Sequence, residues 1–524
     1  MIDRVSPADT TRRALMRYAL AAGVAAGTAG LPTASATRFP AADGRRLVRP
    51  KVARLGDSIT QFAESARISG TATLHRRTRG AMTWVKTLFP AYNDDTWHHP
   101  EDTRHRRFLR GSNNGVAGDH LTYLSPENPG TLRRWADEVA PMRPDVVLLS
   151  VGTNDINSYL PATAIQRDLR RQIREITGTG AIVIVTTIRP RGAVGRSAWA
   201  APDQASDVRY ATRRAVNDWI RSLQSGRVLV ADVNAYLEDP RSRGGAGGDW
   251  LPEVAPPDGV HPGPPAAWAE AQALLPILRT LVRDDNVYGE DPAEAGNLLP
   301  NGAFVGTSGL VGWGARGHCA TGWAISRQSG DAWVEAYTVV EDGVTKQVLE
   351  ITPGYHDSTF VLRTEPRLLP LTDVEVGEWL RFHLAQEVSA HAGWLAYSPR
   401  LLLARQDRTW SMIAGALETA SGERLPEVAW SGWPATHPVR RAPEDAAVAC
   451  SVLIKVAGGV RGRPVLRFSR AQLRRVPDPR VAWHAVTPDT NRHGLVPPVS
   501  TEPDDPAPAE RLEARYRLGR MGAN

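Results

Sequence analysis

Between residues 131 and 282 short apolar runs alternate with stretches of helical periodicity, and few folds accept that pattern. Residues 145–151, 181–188 and 228–233 are mostly apolar and read as strands, and 181–188 is rich in β-branched residues, as in a strand buried on both faces. Residues 131–139, 162–176, 208–223 and 266–282 place apolar side chains at helical spacing, for example Ile165, Leu169, Ile173 and Ile176. Strand and helix in alternation predict a parallel sheet covered by helices on both faces. One more strand is expected at residues 50–55, ahead of Gly56-Asp57-Ser58-Ile59-Thr60. Gly56 lets the chain leave that strand sharply, because it has no Cβ. Ser58 then stands at the C-terminal edge of the sheet, where open α/β folds bind ligands.

A serine hydroxyl is a weak nucleophile without a neighbouring base. Asp258-Gly259-Val260-His261 offers an imidazole and a carboxylate three residues apart, a spacing that can aim both into one site from a turn. Gly152-Thr153-Asn154-Asp155 closes the run at 145–151, so Asn154 also lies at a strand edge and can donate an amide N–H to a developing oxyanion. Residues 113–118, Asn-Asn-Gly-Val-Ala-Gly, form a glycine-rich turn from which Gly118 can present its backbone N–H.

These four blocks, in this order, resemble the SGNH/GDSL hydrolases. Gly-Asp-Ser-Ile matches the first block of that family, Asn113-x-Gly115-x-x-Gly118 the second, Gly152-x-Asn154-Asp155 the third and Asp258-x-x-His261 the last. The resemblance implies Ser58 as nucleophile, His261 as base and Asp258 as its partner. It implies an oxyanion hole of the Ser58 N–H, the Gly118 N–H and Asn154, with Asp57, Asn113 and Asp155 in support. It also implies a flavodoxin-like sheet, an ester substrate, and no metal or organic cofactor. It covers about residues 50–283 and says nothing of the rest.

The first 36 residues read as an export signal. Thr11-Arg12-Arg13-Ala14-Leu15 resembles a twin-arginine motif, residues 18–31 are uncharged, and Ala34-Ser35-Ala36 suits cleavage. No later stretch is apolar enough to span a membrane. The formal net charge is +7. There is no nucleic-acid motif and no long basic block, so a nucleic-acid partner is not expected. Residues 92–110 are polar and aromatic, and their histidines lack a metal-ligand spacing. The segment 189–204, with Arg189, Arg191, Arg196 and Trp199, reads as a solvated loop, with contact to an acidic or sugar substrate as the alternative. Residues 240–257 are rich in Gly and Pro and predict no regular structure; Trp250 among them shapes a pocket or packs.

At 524 residues the chain is too long for one core. The expected division is a hydrolase domain at 45–285, an all-β, jelly-roll-like sandwich at 297–484, and a mostly disordered tail at 485–524 with a short basic helix near 509–518. Beyond residue 297 short β-type runs are separated by Gly, Pro, Asp and Ser. The opening Asn297-Leu-Leu-Pro-Asn-Gly-Ala-Phe304 loosely resembles carbohydrate-binding modules. Nine tryptophans lie there, and each can stack on a sugar or fill a core. Cys319 and Cys450, the only cysteines, form one disulfide or remain two buried thiols. These readings together predict an exported serine esterase acting on O-acyl groups, acetyl foremost, of a carbohydrate. The alternatives are a lipolytic or general short-chain carboxylesterase, and a silent glycan-binding protein. The oligomeric state is left open.

Overall fold

The computed structural model describes residues 46–483, apart from 68–69, 100–107, 123–128, 192–198, 200–206, 246, 286, 289–290 and 421. The expected export signal, the C-terminal tail, His105, Arg196 and Gln204 lie outside the described residues.

Five parallel strands carry the first half: β1 (Val52–Gly56), β6 (Asn113–Gly115), β7 (Val146–Ser150), β8 (Ile182–Thr186) and β9 (Val228–Ala231). Their order is β6-β1-β7-β8-β9, which in chain order is 2-1-3-4-5, the flavodoxin-like winding. Helices Ala162–Gly178, Val208–Arg221 and Pro264–Leu281 cover it as their periodicity predicts. Residues 131–139 are not one α-helix: Thr131–Arg134 is α-helical and Trp135–Val139 widens into a π turn. Around the segment 92–110, β4 (Thr96–His98) and β5 (Leu109–Gly111) form an antiparallel ribbon. Within 240–257 a short helix, Ser242–Gly245, interrupts the irregular chain, and Trp250 is buried.

The second half is built of two packed sheets sharing one core. The smaller has β11 (Ala315–Gly317), β13 (Trp333–Glu341), β14 (Val344–Thr352), β23 (Val465–Val476), β17 (Trp379–Val388) and β20 (Trp430–Gly432), with β21 (Val439–Arg440) on β17. The larger runs β10 (Leu310–Val311), β12 (Trp323–Ser329), β15 (Ser358–Thr364), β22 (Asp445–Val456), β18 (Trp394–Arg405) and β19 (Trp410–Glu418), with β16 (Leu369–Pro370) on β22. It does not end there. β3 (Ala72–Arg77) pairs in parallel with β19, and β2 (Glu64–Arg67) pairs with β3. The first connection of the hydrolase thus supplies the last two strands at one edge of the larger sheet.

The interface between the halves is packed like an interior. Trp84, on helix Ala81–Leu88, meets Trp268 of the hydrolase edge-on at 5.1 Å and Trp430 of the sandwich at 5.9 Å. The Thr87 carbonyl accepts from the Trp433 N–H. That helix is buried on nearly every side, because the sandwich covers the side that the hydrolase leaves open. Charges buried here are paired: Arg54 with Glu64 at 2.5 Å, and Arg76 with Asp94 at 2.6 Å. An unpaired charge at such a place would cost several kcal/mol.

Cys319 and Cys450 are free, buried thiols, and the disulfide alternative falls. Burial pushes the Cys319 thiol up to about 12. Of the nine tryptophans, Trp323, Trp379, Trp394, Trp430 and Trp483 are core residues, whereas Trp313 and Trp333 are exposed and flank the Arg327 guanidinium. No described helix is long and apolar enough to cross a membrane.

Candidate active site

Ser58 is the first residue of a one-turn helix, Ser58–Gln61, that begins directly after β1. The turn is tight enough to require Gly56: a Cβ there would lie 2.2 Å from Thr60 Oγ1 and 2.6 Å from the Ser150 carbonyl oxygen. Asp57 caps the helix, its Oδ1 accepting from the Ile59 N–H at 2.9 Å. Burial pushes the Asp57 carboxyl up; the Ile59 N–H, Arg189 and His261 oppose the rise.

The other end of the sequence comes to the same place. Ser58 Oγ lies 2.9 Å from His261 Nε2, and His261 Nδ1 lies 2.7 Å from Asp258 Oδ2. Asp258 can hold the ring because its own carboxylate is fixed by the turn. Oδ1 accepts from the backbone N–H groups of Val260 and His261, both at 2.9 Å. Burial raises the Asp258 carboxyl, but those N–H groups and the His261 ring outweigh it and hold it below the usual range. Trp250 supports the loop from beneath, donating from Nε1 to the Gly259 carbonyl at 3.0 Å. A carboxylate on Nδ1 keeps the proton there and leaves Nε2 free to accept from the hydroxyl.

The glycine-rich turn and the Asn154 segment flank this chain. Gly118 sits at φ +79, a left-handed conformation that favours glycine. Asn154 Nδ2 donates to the Asp119 carbonyl at 2.8 Å, which ties the two blocks together. Asn113 bridges from β6 to the serine helix: Nδ2 donates to the Thr60 carbonyl at 3.1 Å and Oδ1 accepts from the Gly115 N–H. Asp155 is buried beneath Asn154, and its carboxylate accepts from the Leu121 N–H. Burial pushes it up to about 7. The structure therefore gathers all eight residues singled out in the sequence around one strand edge, at the point where the winding reverses between β1 and β7.

Arg134 and His120, which sequence reading passed over, hold this arrangement together with Arg189 and Arg191, which it read as solvated. Arg134, almost wholly buried, gives Nε to Asp119 at 2.7 Å, Nη1 to the Asn114 carbonyl at 2.6 Å and Nη2 to the Gly56 carbonyl at 2.9 Å. One side chain thus fixes the ends of β1 and β6 together. The ring of His120 lies against Ser158 Oγ at 2.9 Å, below the Asn154 helix. Arg189 is not solvated: it is buried in an ion pair with Glu270 and donates to Ser150 Oγ at 2.7 Å. Arg191 likewise donates to Thr153 Oγ1 at 3.0 Å, and Trp199 is buried, so the described part of 189–204 is not a solvated loop but braces the sheet edge. The signal for Arg134 and Glu270 was a charge on an apolar helix face, between Leu132 and Trp135 in one case and within residues 266–278 in the other.

Residues 55–269 match the GDSL-like Lipase/Acylhydrolase family. No curated protein matches the chain. Among solved structures, an acetylxylan esterase from Geobacillus stearothermophilus is 18% identical, over 45% of this chain and 97% of that one, with a TM-score of 0.28. A family 11 carbohydrate-binding module of a Clostridium thermocellum cellulase is 10% identical, over 30% of this chain and 89% of that one, with a TM-score of 0.19. The enzymatically active domain of tailspike protein 4 from bacteriophage CBA120 is 14% identical over 34% of this chain, with a TM-score of 0.23; the chain spans 22% of its length. Residues 55–269 of the chain thus carry a domain of the GDSL-like lipase/acylhydrolase family, a serine hydrolase domain acting on esters.

Proposed function

We propose that this protein is an exported carbohydrate esterase that removes short O-acyl groups, acetyl foremost, from a polysaccharide. The observation that carries the reading is the unbroken chain from Ser58 Oγ through His261 to Asp258, with links of 2.9 and 2.7 Å. His261 Nε2 takes the hydroxyl proton as Ser58 Oγ attacks the ester carbonyl carbon. The carbonyl oxygen becomes an oxyanion, received by the Ser58 and Gly118 N–H groups and the second N–H of Asn154. Such donors are worth roughly 3–4 kcal/mol each. Collapse expels the sugar alkoxide, which takes the proton from His261 and leaves an acyl-serine. Water, deprotonated by the same imidazole, then releases the carboxylic acid and restores Ser58.

A polymeric substrate is supported by the sandwich fused to the hydrolase and by the export-like leader. Polysaccharide O-acyl groups are small, hence acetyl. Phe62 supports a second reading as a general carboxylesterase, because its partly exposed ring packs 5.3 Å from the His261 ring and can receive a longer acyl chain.

The test is hydrolysis of p-nitrophenyl acetate, butyrate and octanoate, and acetate release from acetylated xylan, by the protein and by Ser58→Ala. Acetate preference, release from the polymer and an inactive variant support the proposal. Rates that climb to octanoate, with no release from any acetylated glycan, overturn it in favour of the second reading. Activity equal in the two proteins removes Ser58 from the chemistry.

A further inference from the structure

Away from Ser58, the larger sheet of the sandwich bears a cavity of about 250 Å³ on its outer face. That is slightly below the range of drug-sized pockets, room for one sugar ring but not for a folded-back chain. Its lining joins an aromatic wall to a basic one. Trp410 is half-buried, and the Arg367 guanidinium lies 5.3 Å from its ring centroid. Arg363 stands on β15, across β22 and β18 from Trp410, and lies 3.4 Å from Glu365 at its closest. Among the described residues no carboxylate reaches within 4 Å of Arg367. With Glu365 counted against one arginine, the pocket keeps a net positive charge. Ser451 and Gln328 add neutral polar groups. A guanidinium only donates, and its fork matches a carboxylate with two parallel bonds. An indole face takes the apolar face of a sugar ring rather than a free anion.

The place of this cavity in the sheet matters as much as its lining. Cross-strand partners share a face. One register row reads Arg363, Ser451, Arg400, Gly415, His75 and Ser65, crossing β15, β22, β18, β19, β3 and β2. Five strand spacings make roughly 24 Å. The row ends on β2, whose first residue, Glu64, follows the helix of Ser58 by three residues. Along it Arg400 and His75 both face the Glu418 carboxylate. The outer face is therefore continuous from the Trp410 cavity to the strand that leaves the nucleophile.

We propose that the Trp410–Arg367–Arg363 cavity binds a uronic acid residue of a polysaccharide, its ring on Trp410 and its carboxylate on the arginines, with the rest of the chain laid along the sheet toward β2. The inference rests on the carbohydrate-ester reading and names the polymer as acidic.

Binding is measured by titration calorimetry on the full chain bearing Ser58→Ala, so that turnover plays no part. The probes are xylan oligosaccharides with and without a glucuronic acid branch, free glucuronate, and inorganic phosphate. The branched oligosaccharide is expected to bind at least about tenfold more tightly than the neutral one. Arg367→Gln is expected to abolish that margin, Arg367→Lys to keep part of it, and Trp410→Ala to weaken every glycan; far-UV circular dichroism and thermal melts verify each fold. Equal affinity for acidic and neutral oligosaccharides overturns the proposal. So does an undiminished margin in Arg367→Gln, or phosphate competing as well as glucuronate. Acetate release from acetylated neutral xylan by the unmodified protein is read separately. Its failure would strike the esterase reading and leave the binding result standing, and the converse holds.

Discussion

Asp155 follows Asn154 directly and, among the described residues, no cation pairs with it, which makes its proton a measurable quantity. Burial pushes the carboxyl from 3.8 up to about 7; the Leu121 N–H opposes the rise, and Asp168 and Asp119 add to it. Over the window from about 4 to 7 the folded chain keeps a proton that the unfolded chain has released. The unfolded state binds fewer protons there, so stability falls as pH rises through the window. About 3 pH units at ~1.4 kcal/mol each give a loss of roughly 4 kcal/mol, complete above pH 7. Asp94, Glu418 and Asp258 are held below their ordinary range and act in the opposite sense, at lower pH. They are present in both proteins when the comparison is with Asp155→Asn, which keeps an oxygen for the Leu121 N–H and cannot ionise. The assay is urea unfolding followed by tryptophan fluorescence at half-unit steps from pH 4 to 8. The variant is expected to gain on the parent by several kcal/mol between pH 4 and 7.5. Parallel stability curves would refute the reasoning, because they would mean that Asp155 is already ionised in the folded chain.

Three further outcomes follow from the same geometry. Asp258→Asn removes the acceptor that fixes the His261 tautomer, and kcat on p-nitrophenyl acetate should fall by about 10³–10⁴ with KM little changed. Arg134→Met leaves Asp119 buried without its cation and should cost about 3–5 kcal/mol in urea unfolding. Gly56→Ala drives a methyl into Thr60 and the Ser150 carbonyl; it should lower stability by about 1–3 kcal/mol, and activity far more, since Ser58 must move.

The site was legible in the sequence because each block combines a short motif with a buried strand or a turn. Both are local features, and the winding of a parallel sheet brings their C-terminal edges together. Groups acting at a distance were not legible. Arg134 looks like half of an exposed Arg133–Arg134 pair until the helix period puts it on the buried face. His120 owes its place to a neighbour, Ser158, that only the fold supplies. The segment 64–77 was opaque for another reason. It shows little apolar alternation, with Leu74 the one fully buried aliphatic side chain among its described residues, because an edge hairpin buries one face only in part. Its partner strand lies hundreds of residues away, and no local pattern encodes such a pairing.

That pairing also decides how the protein is made. Thr71 and Trp410, which meet beside β3, are 339 residues apart. At about 5–20 residues per second a ribosome needs roughly 20–70 s to pass from one to the other. Throughout that interval the nascent hydrolase presents an unzipped hairpin edge, and Trp84 lacks Trp430, its neighbour from the sandwich. The two halves cannot be exchanged like beads on a string: recombination in the linker would cut a sheet in two, and an esterase transplanted without its sandwich would carry an open seam beside its nucleophile.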